Sequence, residues 1–187
     1  MDFFAPALRL YLLGGDVDPV TPAEMLAATQ VFLAGGGTAV IANHNSHSLF
    51  LLQKIPALRA FFEDADLTQI DSLPMILWGR LMGLKVGREH RSTYLDWRED
   101  FWTLARERGW RVFHVGGAPG VGERAAAEIR RRYAGVNMAV RNGFFDIDPA
   151  SGDSRALRKD IAPSTRTSSW SAWACRARKR GSPPTAT

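Results

Sequence analysis

Short apolar runs alternate along this chain with longer stretches of helical composition, and Gly, Pro and Asx clusters punctuate them. Residues 8–13 read as a first strand. Thr21-Pro22-Ala23-Glu24 then puts Thr at an N-cap, Pro at N1 and Glu at N3, which predicts a helix running to about Leu33 and ending at Gly35-Gly36-Gly37. Residues 38–42 form a second apolar strand that runs into the polar cluster at residues 43–48. A helical stretch towards Asp66 precedes a third strand over residues 67–70, which ends at Asp71. Residues 74–82 and 93–108 read as helices. Residues 111–135, RVFHVGGAPGVGERAAAEIRRRYAG, hold a strand, a glycine turn and a helix in immediate succession, and residues 136–140 supply a fifth strand. Strands alternating with helices predict an α/β fold: a doubly wound, mostly parallel sheet flanked by helices, Rossmann-like. No internal repeat is visible.

At 187 residues with 45% apolar content, the length suits one domain with a real core, assigned here to residues 1–157. No run of about 18 uncharged apolar residues is present, so no membrane span is expected. The start, MDFFAPALRL, has no basic n-region and no small-residue cleavage site, so no signal peptide is expected. The one cysteine, Cys175, excludes a disulfide framework and fits a reducing, cytoplasmic compartment. The net charge of +5 is unevenly spread. Residues 158–187 carry seven of the 24 Lys/Arg and one of the 19 Asp/Glu, which leaves 17 and 18 for residues 1–157, a net of −1. The basic character belongs to the tail, so no nucleic-acid partner is expected of the domain.

In doubly wound sheets the ligand lies outside the carboxyl ends of the strands. Three polar groups fall there: residues 43–48, Asp71, and the turn at residues 116–120. A glycine turn feeding a helix N-terminus suits a phosphate, but the spacing is not GxGxxG and no P-loop lysine follows, so the alternative is a plain tight βα connection. Asp71 precedes a Pro-started helix and reads either as its N-cap or as a general base that deprotonates an attacking hydroxyl. Asn43, His44, Asn45 and His47 lack a nearby cysteine or well-spaced carboxylate, so they read as a hydrogen-bonding loop and no metal site is expected. Arg88, Glu89, His90, Arg91 and Asp96 read either as a clamp for a diphosphate or as a solvated charge cluster. Gly143-Phe144-Phe145-Asp146 reads as a substrate-lining loop or as an ordinary turn.

These pieces, in this order, resemble the WecG/TagA/CpsF glycosyltransferase family of bacterial cell-surface polysaccharide synthesis. The resemblance covers residues 8–146 and rests on IANHNSHSL, IDSLPMILWGRLMG, REHRSTYLDW, RVFHVGGAPGVGERAA and the NGFF turn. It implies an inverting, metal-independent hexosyltransferase that moves a sugar from a UDP-sugar to a polyprenyl-diphosphate-linked acceptor, for exopolysaccharide or other cell-surface glycan. It also implies a cytoplasmic protein, peripheral at the inner face of the plasma membrane. No cofactor is implied beyond the UDP-sugar donor substrate. Asp71 matches the family's catalytic aspartate, Asn43 its asparagine and Arg91 its arginine. The expected substrate-binding set is Asn43, Asn45, Arg91, Gly116, Gly117, Gly143 and Phe144. Ser72 stands where the family usually has Gly, and Ile41 where it often has Thr. A non-catalytic nucleotide-sugar-binding subunit, or an inactive truncated product, is the alternative, and a homo-oligomer is left open.

The tail departs from this pattern. The family's next strand and loop resemble PDVLLVGLGMPRQE, whereas this chain ends in SWSAWACRARKRGSPPTAT. Reading codons one base out of step recovers the expected letters. Trp170 ends in G, so Ser171 as TCN gives Val. Trp173 ends in G, so any Ala174 codon gives Gly. With permitted codons residues 165–179 spell PDVLLVGLGMPRQE. The expectation is that the chain leaves frame between residues 157 and 165, that the terminal strand is missing, and that residues 158–187 are a disordered basic tail. A genuine basic tail is the competing reading.

Overall fold

Residues 9–161 and the backbone of residues 170–174 are described by the computed structural model of the chain. They divide into two units, Met1–Glu99 and Asp100–Thr187, with the boundary inside a helix.

The first unit opens with a hairpin of β1 (Leu10–Leu12) and β2 (Gly15–Val17). Leu12 lies opposite Gly15, so Leu13 and Gly14 are a two-residue turn, with φ of 52° and 90°. Positive φ at both positions matches the right-handed twist of the flanking strands. Gly14 adopts it freely, while Leu13 is an uncommon occupant of that region. The sequence predicted a single strand here, because nothing in Gly-Asp-Val looks like one in isolation. Helix α1 (Pro22–Ala34) follows as predicted: Glu24 N donates to Thr21 Oγ1 at 3.3 Å, and Thr21 N donates to Glu24 Oε2 at 2.8 Å.

Next come β3 (Ile41–His44), α2 (Ser46–Leu52), α3 (Pro56–Glu63), β4 (Leu67–Ile70), α4 (Leu73–Leu81), a 3-10 turn at Arg88–His90 and α5 (Tyr94–Glu107). β3 and β4 pair in parallel from Ile41↔Leu67 to His44↔Ile70. β3 begins later than predicted because Val40 is tied to the turn before β4. Its carbonyl accepts from Asp66 N and Leu67 N, and its N–H donates to Asp66 Oδ2 at 2.7 Å. Asn43 and His44 are therefore strand residues. Leu12, Val17, Leu49, Leu52, Ile70, Met75 and Ile76 form the core between these elements. Each large side chain so buried contributes about 1.5–3 kcal/mol.

The other edge of β4 is closed by single residues. Asp18 N donates to Thr68 O at 2.7 Å, and Thr68 N donates to Asp18 Oδ2 at 2.7 Å, so a carboxylate stands in for a strand carbonyl. Asp18 is fully buried and held by Arg9, whose Nε and Nη2 reach its two oxygens at 2.9 and 2.8 Å. Further along that edge Arg91 bridges Ile70, and Ser92 N donates to Ile70 O at 2.9 Å.

In the second unit β5 (Arg111–Val115) is central, parallel to β6 (Asn137–Arg141) on one side and to β7 (Trp170–Ala174) on the other. Helices α6 (Val121–Arg132) and α7 (Gly152–Ile161) accompany them. Arg130, Arg131 and Arg132 fill the last turn of α6, where the helix dipole favours cations.

Two expectations need correction. The strands alternate with helices and pair mostly in parallel, but the described residues form two two-stranded sheets and one three-stranded sheet rather than one continuous doubly wound sheet. At β4 the reason is visible, since side-chain and single-residue links take the place of a full ladder. The terminal strand is not missing: Trp170–Ala174 occupies that edge of β5. A parallel ladder asks only for backbone N–H and C=O groups, so a segment of unexpected composition can supply them. Residues 162–169 and 175–187 of the expected tail lie outside the described residues, and α7 runs through residue 157. Among the described residues no helix is long and apolar enough to cross a membrane.

Candidate active site

The parallel ladder of β3 and β4 extends one step past Ile70, where Asp71 N donates to His44 O at 2.8 Å. Side chains alternate along a strand, so Gln69 and Asp71 share one face and Ile70 takes the other. Asn43, paired with Gln69, lies on the face of Asp71, and its Nδ2 donates to Asp71 Oδ2 at 3.1 Å. His44, paired with Ile70, is turned into the core.

Asp71 does not cap α4. The N-cap is Ser72, which makes no side-chain capping bond, and Pro74 in the first turn brings no donor that needs one. The Asp71 carboxylate is therefore not spent on helix amides. Burial pushes its pKa above the ordinary carboxylate value, the Arg91 charge opposes this, and the Asp96 charge adds to it.

Arg91 is held from the far side. Its Nη2 donates to Asp96 Oδ1 at 2.9 Å, while Asp96 Oδ2 accepts from Thr93 N at 2.9 Å and from Thr93 Oγ1 at 2.8 Å. Asp96 thus closes the first turn of α5 and fixes the arginine with one of its five donors. The rest of the basic cluster stands apart: His90 Nδ1 accepts from Gly87 N at 2.9 Å. Among the described residues, Gln69 Oε1, Ser72 Oγ and Ser92 Oγ are buried without a hydrogen-bond partner. A buried polar atom left so costs about 1–3 kcal/mol. Sequence reasoning passed over Gln69 and Ser92. Their available signal was position, Gln69 two residues before Asp71 on the same face and Ser92 next to Arg91.

Asn45 was expected to bind substrate, and the structure gives its oxygen another task. It is the N-cap of α2, with Oδ1 accepting from His47 N at 3.0 Å and from Ser48 N at 2.9 Å. The Ser48 hydroxyl donates to Asn45 O at 2.8 Å and meets His44 Nδ1 at 2.9 Å, so that nitrogen carries the imidazole proton. His44 Nε2 is left without a partner, the ring stacks on Phe62 with centroids 3.7 Å apart, and burial pushes the imidazole down to about 4. His44 is a neutral core residue.

In the second unit the glycine positions come together. Gly143 N donates to Gly117 O at 2.9 Å, and a Cβ on Gly143 would sit 3.2 Å from the Gly116 Cα. Gly117 and Gly120 have φ of 70° and 81°, which favour glycine. Gly116 N, expected to face a phosphate, donates instead to Arg141 O at 3.0 Å, because β5 and β6 continue their ladder through it. Gly120 is the N-cap of α6, whose N-terminal amides favour an anion while Glu123 in the first turn opposes one. Phe144 N donates to Asn142 Oδ1 at 3.0 Å, and the residue is 47% exposed.

A search of curated proteins finds no match to the chain. Residues 10–168 match the family model described as glycosyl transferase WecG/TagA/CpsF family. That span holds both polar constellations, Asn43–Asp71–Arg91 and the paired glycine turns, and the chain belongs to the WecG/TagA/CpsF family of glycosyltransferases.

Proposed function

We propose that the chain is an inverting glycosyltransferase that works without a metal and uses Asp71 as general base. The Asp71 carboxylate takes the proton from an acceptor hydroxyl, the hydroxyl oxygen bonds to the anomeric carbon, and the bond from that carbon to the diphosphate breaks. The UDP leaving group gains negative charge, and the donors of Arg91 not used by Asp96 are suited to hold it. Asn43 orients the base through its amide. The donor is a UDP-sugar and the acceptor a polyprenyl-diphosphate-linked glycan at the inner membrane surface. In the second unit, Gly117 and the first turn of α6 suit a phosphate, with Gly143 and Phe144 beside that turn.

The single observation that carries this reading is the free carboxylate of Asp71. It sits at a strand's carboxyl end, partly buried, bonded by Asn43 and not by the helix that follows. A base so placed typically contributes about 10²–10⁴-fold. Asp71→Asn should lower transfer by that factor and leave UDP binding nearly unchanged, measured by turnover and by calorimetry. Turnover at the unsubstituted rate would reject Asp71 as base.

On the same reading the chain leaves frame between residues 157 and 165 and lacks the Pro-Arg-Gln-Glu loop. Support comes from the codon reading and from the family match, which stops at residue 168. The nucleotide sequence across codons 155–170 tests it, and activity assays should use the frame-restored chain beside this one.

A further inference from the structure

Helix α4 is apolar on both sides, but the core takes only one of them. Met75, Ile76 and Gly79 are buried, and a Cβ on Gly79 would come within 2.8 Å of Val86 Cγ2, so that side is closely packed. On the other side Leu77, Trp78 and Leu81 are 58%, 45% and 76% exposed, and Met82 continues the patch at 55%. Leu77 and Leu81 are one turn apart and Trp78 lies three residues before Leu81, so the three share a face. A contiguous exposed patch of this kind marks a binding surface.

The charges beside it say what the surface meets. Arg80, Lys85 and Arg88 are exposed and line an open depression of about 700 Å³ next to the patch. Glu89 is the only acid between residues 73 and 90. Leucines with a tryptophan, flanked by exposed cations, form the pattern of a helix lying in an anionic membrane interface. A second copy of the chain is a poorer match, since a two-fold contact over this face would bring its cations together.

We infer that the outward face of α4, with Arg80, Lys85 and Arg88, docks on an anionic bilayer. Helix α4 begins two residues after Asp71, so docking would bring a lipid-borne hydroxyl acceptor near the carboxylate. This purpose rests on the proposed acceptor, whereas the docking itself is measured without turnover.

The test is flotation of the full chain with vesicles of phosphatidylglycerol and phosphatidylcholine, against phosphatidylcholine alone. Binding should require the anionic lipid and fall with salt. Leu77→Ser with Leu81→Ser, and separately Lys85→Gln with Arg88→Gln, should each weaken binding by about tenfold or more at an unchanged melting temperature. The basic C-terminal residues are common to all these chains, so the difference reads the α4 face alone. Variants that float like the parent would overturn the inference. So would variants that lose self-association in sedimentation while floating unchanged, since the face would then join two copies. Transfer to a short, water-soluble acceptor analogue separates the two readings. Transfer with α4-independent flotation rejects the docking face alone, and α4-dependent flotation without transfer rejects only the glycosyltransferase mechanism.

Discussion

Asp71 owes its chemistry to three neighbours of different kinds: the interior that strips it of water, the Asn43 amide that aims it, and the Arg91–Asp96 pair whose charges pull its pKa in opposite directions. Removing the Asp96 charge has a definite sign. Asp96→Asn takes away a charge that raises the Asp71 pKa, which favours the ionised base. It also loosens the arginine whose charge lowers that pKa, which works the other way, and the direct loss of the Asp96 charge sets the expected sign. A general base loses activity as pH falls through its pKa, and the acidic limb of kcat/KM should therefore move to lower pH in this variant. A pH–rate profile checks it, and a limb moved upward would mean that Asp96 acts mainly by holding Arg91. Asp71 was legible in the sequence as a carboxylate at a strand's end. Whether it caps the helix or stands free was not, because both readings fit the same letters. Strand alternation and the pairing of Asn43 with Gln69 settle which way it points.

At the scale of elements, capping residues were the readable feature and edges were not. Thr21, Pro22 and Glu24 specify the start of α1 by local hydrogen bonds, so the prediction and the structure agree there. The start of β3 depends on Asp66, distant in sequence, and was misplaced. The glycine turns illustrate the same division. Gly117 and Gly120 are recognisable as turn residues, but the need for glycine at 143 comes from the Gly116 backbone lying against it. Gly143→Ala should force that contact apart and cost about 1–3 kcal/mol, as overpacking does. It should also weaken UDP binding more than it alters the pH profile. Thermal unfolding and calorimetry measure both, and a variant as stable as the parent would show that the loop yields freely.

For the molecule as a whole, β7 reverses an expectation about stability. If residues beyond Ile161 contributed nothing, ending the chain there would cost little. With Trp170–Ala174 paired to β5 along its length, the same truncation exposes an edge of the second unit's sheet. The expected outcome is a lower melting temperature and more aggregation in the chain ending at Ile161, read by calorimetry and light scattering. Equal behaviour of the two chains would mean that β7 adds no net stability.

The letters alone determined what depends on near neighbours: most helices and strands, the α1 cap, the glycine turns, the uneven charge, and the order of motifs that marks the glycosyltransferase family. Hydrophobic period and turn chemistry act over a few residues and can be read from them. What only the tertiary structure decided depends on partners far apart in the chain. It made Asn45 a helix cap, left Asp71 free, spent the Gly116 N–H on Arg141, and closed the edge of β4 with the buried carboxylate of Asp18. Each of these is a choice between hydrogen-bond partners of similar strength, and the packing of distant segments sets which partner is within reach.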